Sequence, residues 1–191
     1  FLLGLAAIAI AWSTLQSELW GGQQDEAYTE SVREANIAIG QARAADTLRA
    51  LDQILFVEIL TTGVCNESGQ ADETACEQII ANLSDVGAAA VDEWLNGTVS
   101  TPFESPTYMD TVSAQGEEAR LASQRFFQEA GEANENGDDY ELASTILAAV
   151  LFFGGISVVL DDKRIAWVLL AGASLVFVGV SVYIASLPLA S

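Results

Sequence analysis

The sequence predicts an all-α membrane protein with three transmembrane helices and an extracytoplasmic antiparallel helical bundle. Three observations lead there. Phe1–Trp12, Ala143–Leu160 and Ile165–Leu187 are apolar, and none of them contains a charged residue. A hydrocarbon core of about 30 Å needs about 20 apolar residues in helix, which each of the last two blocks supplies or nearly supplies. The stretch between the first and second blocks is acidic and patterned for helix, with no period-two run of β-branched residues.

The elements follow in order. Residues 1–20 read as the second part of a transmembrane helix and its exit, with Trp12 and Trp20 at the interface, where indole rings are favoured. A cleaved signal is the competing reading; Trp12-Ser-Thr-Leu-Gln-Ser-Glu-Leu-Trp20 keeps helical character and lacks a small-x-small site. Residues 21–139 form the insert. From Ser13 to Thr62 there is no Pro, and Ala35, Ile39, Ala42, Leu48, Leu51, Leu55 and Ile59 recur at helical spacing as an apolar face, with Phe56 beside them. Such a helix would rise about 70 Å, with Gly21-Gly22 as a possible kink and Gly63 as its left-handed cap. Asp72 is the expected cap of a second helix reaching Leu95. Two prolines between Ser100 and Pro106 impose an irregular loop. A third helix is expected from Thr107–Asp110 towards Asn134, with continuation into the membrane helix 140–160 as an open alternative. A short turn, 161–164, then leads to the last membrane helix, 165–187, which has Trp167 near its start and a tail at 188–191.

Charge narrows the function. The net charge is −20, and Gly21–Leu142 holds 24 Asp and Glu against five Arg. Such a chain repels phosphate backbones, so no nucleic-acid partner is expected. A carboxylate surface with Arg preferred to Lys fits halophilic adaptation; attraction of cations or of a basic partner is the alternative. Lys163-Arg164 in the short turn places 161–164 in the cytoplasm of a plasma-membrane protein, with the insert outside. Cys65 and Cys76, the only cysteines, flank a polar loop and read as a disulfide in that exported region, since two thiols with no His in the chain make a poor zinc set.

Candidate sites are few. The chain has no His, no nucleophile–base pair, no phosphate-binding glycine loop and no cofactor motif, so no enzyme and no cofactor are expected. Asn134, Asn136, Asp138, Asp139 and Glu141 make an oxygen-rich calcium candidate without EF-hand spacing; a polar helix break, capped by Asp138 or Asp139, is the preferred reading. Glu67, Asp72, Glu73 and Glu77 read as solvated surface. Gly154, Gly155, Gly172, Ser174 and Gly179 suit close packing of the membrane helices. Ser13, Gln16 and Ser17 would line a wet pore only in an oligomer, with interfacial packing as the alternative.

At Ala11–Gln16, Trp20–Gln23 and Leu147–Ser157 the chain resembles a group of uncharacterised prokaryotic membrane proteins. Glu93–Leu95, Pro102–Met109 and Asn134–Tyr140 add to the likeness. The resemblance implies one membrane helix, a helical insert and a closing hairpin, and no activity; the greater acidity suggests a haloarchaeal source. The expected role is therefore assembly, through lipid contact and either further copies of the chain or another membrane protein. A subunit of an oligomeric cation channel or transport complex, and an extracytoplasmic sensor module, are the alternatives.

Overall fold

The computed structural model describes residues 1–65 and 73–190, apart from the side chain of Glu73, and every regular element among them is helical. These are α1 (Leu2–Thr62), α2 (Glu73–Ile80), α3 (Asp85–Leu95), a single 3-10 turn at Pro102–Glu104, α4 (Pro106–Ala114), α5 (Glu117–Val159) and α6 (Lys163–Ser186). α1, α5 and α6 each contain a stretch long and apolar enough to cross a membrane. The expected cap at Asp72, and Glu67 of the acidic cluster, lie outside the described residues.

The chain divides into two compact units. Unit 1 comprises Phe1–Ser31 and Gln124–Ser191, and unit 2 comprises Val32–Ser123. These boundaries lie inside α1 and α5, about three turns of α1 and four turns of α5 from the expected ones at 20 and 140. The two helices stay paired through that interval. Tyr28 meets Phe127 edge to face at 5.7 Å, and Gln24 Nε2 donates to Asn134 Oδ1 at 2.9 Å.

Within unit 1 the buried line is made, apart from Tyr140, of small and medium side chains. Ala6, Ser13 and Gln16 of α1 are buried, as are Ala143, Leu147 and Val150 of α5 and Ala173 and Val180 of α6. Close approach of backbones explains the small residues, because dispersion contacts replace the missing hydrophobic drive wherever lipid is the solvent. α1 passes through Gly21-Gly22 as one helix. Each glycine costs about 1 kcal/mol of helix propensity, too little to break a helix that is supported on both sides.

Unit 2 has an aromatic and aliphatic core. Phe56, Ile59, Cys65, Leu83 and Val91 are buried together. Phe56 meets Trp94 and Phe103 edge to face at 5.0 and 5.5 Å, and Phe103 meets Tyr108 at 5.5 Å. Cys65 and Cys76 are bonded, tying the end of α1 to α2. Gly63, at φ +66, ends α1 as expected, its N–H bonding the Ile59 carbonyl.

Two expected helices are broken. The second ends at Ile80 and resumes at Asp85, because Ser84 leaves helical geometry to cap α3, its Oγ accepting from Gly87 N at 2.9 Å. The third is split between α4 and α5 by Gly116, at φ +81. There a Cβ would come 2.6 Å from the carbonyl oxygen of Ala38, so glycine is required both by conformation and by the close approach. By contrast, α5 continues without a break through Asn134–Glu141 into its apolar half.

Candidate functional site

The inward face of α1 in unit 2 is Ala45, Asp52, Phe56 and Ile59. Asp52 is 2 % exposed, and its carboxylate gathers three donors. Ser84 N and Ser84 Oγ donate at 2.8 and 2.6 Å, and the Tyr108 hydroxyl at 3.1 Å. One carboxylate of α1 therefore fastens the start of α3 and the first turn of α4. Burial first, then the neighbouring Asp52 charge and hydrogen bond, push the Tyr108 phenol from 10.0 up to about 12, against an opposing pull from Arg49. Gly87 leaves room for this carboxylate. The arrangement acts as a structural clasp.

Because Asp52 turns inward, a row of aliphatic side chains turns outward. Leu48, Leu51, Ile54, Val57 and Leu60 recur every third residue and are 51–64 % exposed. Ile39, expected on the buried face along with Leu48 and Leu51, is exposed as well. Leu55, Ile59 and the neighbouring Phe56 of the expected face do reach the core, whereas Ile39, Leu48 and Leu51 do not: the residue that sets the orientation beside them is the polar Asp52. Charge is also low on this helix. Within unit 2, α1 carries Arg33, Arg43 and Arg49 against Glu34, Asp46, Asp52 and Glu58, whereas the rest of the unit has Arg120 alone against eleven acids.

Unit 1 holds a different feature. A groove of about 420 Å³ lies between α1 and α5, lined among others by Trp20, Phe126 and the carboxylates Glu26, Glu30, Glu129 and Glu132. Asn136 lines it too, the one member of the calcium candidate that does. An unbroken helix spreads the five residues of that candidate. Asn134, Asp138 and Glu141 share a face, and Asn134 Nδ2 donates to Asp138 Oδ2 at 3.1 Å; Asn136 and Asp139 project elsewhere. Among the described residues no group of three or more His, Cys, Asp or Glu is placed to hold a metal ion.

At one end of unit 1 the tail after α6 is stitched to the other two helices. Trp20 Nε1 and the Tyr140 hydroxyl both donate to the Pro188 carbonyl, at 3.3 and 3.2 Å, and Ala190 N donates to Gln16 Oε1 at 2.9 Å. Ser13 and Gln16, considered as pore-lining residues in an oligomer, are interior to unit 1, and Ser17 is half-buried. Trp20 packs on Gly137, and Trp167 lines a groove with Ser157. Twenty helical residues separate Gly137 from Ser157, about 30 Å, which matches a hydrocarbon core. Trp12 lies eight residues from Trp20, about 12 Å further into that apolar band.

The packing residues divide. Gly154 receives Leu3 of α1, whose Cδ2 would lie 2.9 Å from a Cβ there. Gly155, Gly172 and Gly179 face no atom within that reach, and Ser174 Oγ donates to the Leu170 carbonyl of its own helix.

Comparison with protein-family models, curated proteins and solved structures returns no match, and nothing ties the chain to the membrane-protein group it resembles.

Proposed function

We propose that this chain is a non-catalytic plasma-membrane protein that assembles with copies of itself through the outward row of α1, unit 2 facing outside and the 161–164 turn facing the cytoplasm. One observation carries the reading: Leu48, Leu51, Ile54, Val57 and Leu60 stand exposed on a chain of net charge −20. A solvated acidic surface has no need of five exposed aliphatic side chains winding along three turns of one helix, and exposed apolar surface of this kind marks an interaction surface. A second copy fits best because α1 carries most of the arginine of unit 2. Two strongly acidic molecules can meet there with the least repulsion. A basic partner would instead be drawn to the acidic remainder.

Native mass spectrometry of protein extracted gently from its own membranes tests this, with Ile54→Glu as the comparison. A homo-oligomer that Ile54→Glu dissociates supports the reading. A monomer at every concentration, or a stoichiometric complex with a different protein, overturns it.

A second reading, cation attraction, is favoured by the groove beside Trp20 and Phe126. Four carboxylates lining one groove suit a cation by charge. Titration of the purified protein with calcium and with a quaternary ammonium ion tests it: saturable binding weakened by Glu129→Gln supports it, and its absence removes it.

A further inference from the structure

The chain has six asparagines, and three of them open an Asn-x-Ser/Thr triplet without proline: Asn66-Glu-Ser68, Asn82-Leu-Ser84 and Asn96-Gly-Thr98. With 26 Ser and Thr among 191 residues, chance would place about one. All three fall between 66 and 98, away from the apolar stretches that could cross a membrane. Asn66 lies outside the described residues, and the other two occupy turns on the surface of unit 2.

We propose that Asn96 and Asn82 are acceptors for N-linked glycan. The proposal rests on the reading that unit 2 faces outside, and goes beyond it. Such triplets are recognised through the hydroxyl two residues after the asparagine and occur on exported surface loops. In the step itself the amide Nδ2 attacks the anomeric carbon of a sugar carried on a polyprenyl phosphate or pyrophosphate. A carbon–nitrogen bond forms and the bond from that carbon to the phosphate oxygen breaks. The lipid phosphate leaves with the electron pair and the amide gives up one proton. The lipid-linked sugar is the only co-reactant, and a membrane glycosyltransferase delivers it.

The two sites differ in their access. Asn96 caps the end of α3 and is exposed, its Nδ2 held only by a 3.3 Å contact with Asp92 Oδ2. Gly97, at φ +71, turns the chain outward, and Thr98 is exposed. This triplet stays open in the folded unit. Asn82 is also exposed, its Nδ2 donating to the Gln78 carbonyl at 2.7 Å, but the hydroxyl of Ser84 is committed to Asp52. Asn82 is therefore open only before the Asp52–Ser84 bond forms, and its occupancy is the lower of the two. α3 and the turn before it pack against the inward side of α1, so glycans there leave the outward row bare.

Glycopeptide mass spectrometry of the protein from its own membranes tests the proposal, with protease treatment of intact cells fixing the side of unit 2 independently. The expected result is an Asn96 peptide carrying sugar, an Asn82 peptide modified to a smaller fraction, and loss of one glycan from the intact mass in Asn96→Gln. Both asparagines bare in a protein cleaved from outside overturns the glycan and leaves the topology standing. Unit 2 protected in intact cells overturns both. Higher occupancy at Asn82 than at Asn96 overturns the ordering drawn from the Ser84–Asp52 bond.

Discussion

A Cβ on Gly87 would lie 2.6 Å from Cγ of Asp52 and 2.7 Å from each of its oxygens. No flexible end can swing aside there, because the carboxylate is held by Ser84 and Tyr108. Gly87→Ala is therefore expected to destabilise unit 2 by about 2 kcal/mol, within the range for overpacking a fixed site. Asp52→Ala, which strands three donors, should cost about 3 kcal/mol. If the methyl acts by displacing the carboxylate, the double variant will cost little more than Asp52→Ala alone. Denaturant unfolding followed by near-ultraviolet circular dichroism reads all three.

The Tyr108 phenol titrates near 12 in the folded chain and near 10 when unfolded. A group whose folded pKa is raised contributes stability that is complete below the unfolded value and lost as pH climbs through the folded one. Unfolding midpoints should therefore carry this group's full contribution up to about pH 10 and lose it between about 10 and 12. Tyr108→Phe should remove that alkaline loss, at the expense of one hydrogen bond to Asp52. Midpoints measured across the alkaline range for both proteins decide it.

Reduction of Cys65–Cys76 should lower the stability of unit 2 by about 3 kcal/mol, the loop-closure figure for a ring of this size. Thermal melts with and without reductant, repeated on Cys65→Ser, measure it. A reductant effect that persists in Cys65→Ser would refute the assignment.

Tyr140→Phe removes the donor to Pro188 and should cost about 1 kcal/mol in unit 1. Gln16→Leu removes the acceptor of Ala190 N and should cost a similar amount. Because these two hydrogen bonds and the one from Trp20 hold one tail, the double variant should speed hydrogen–deuterium exchange at the Ala190 amide; unchanged protection of that amide would refute the stitch.

Periodicity made the helices legible, since apolar blocks and turn glycines are local signals. Gly63 stopped α1 where its place in the sequence suggested. The breaks at Ser84 and between α4 and α5 were hidden because their causes are remote. Ser84 caps α3 while bound to Asp52, 32 residues earlier, and Gly116 yields to Ala38. The inward face of α1 was legible at Leu55, Phe56 and Ile59, but the outward turn of Ile39, Leu48 and Leu51 was hidden for the same reason. A rule that sends leucine inward cannot anticipate that one aspartate will meet a serine and a tyrosine, although Asp52 does share the spacing of Ala45, Phe56 and Ile59. The acidic groove was likewise unreadable, because it needs the pairing of α1 with α5.

The bond between Gln16 and Ala190 spans 174 residues of sequence. A ribosome delivers Gln16 long before Ala190 exists, so during synthesis the first apolar helix carries an amide oxygen with its partner still to come. Only when the tail folds back is that oxygen supplied with its donor. A half-made chain thus carries on its first helix an amide oxygen without its donor, which the finished bundle supplies and hides.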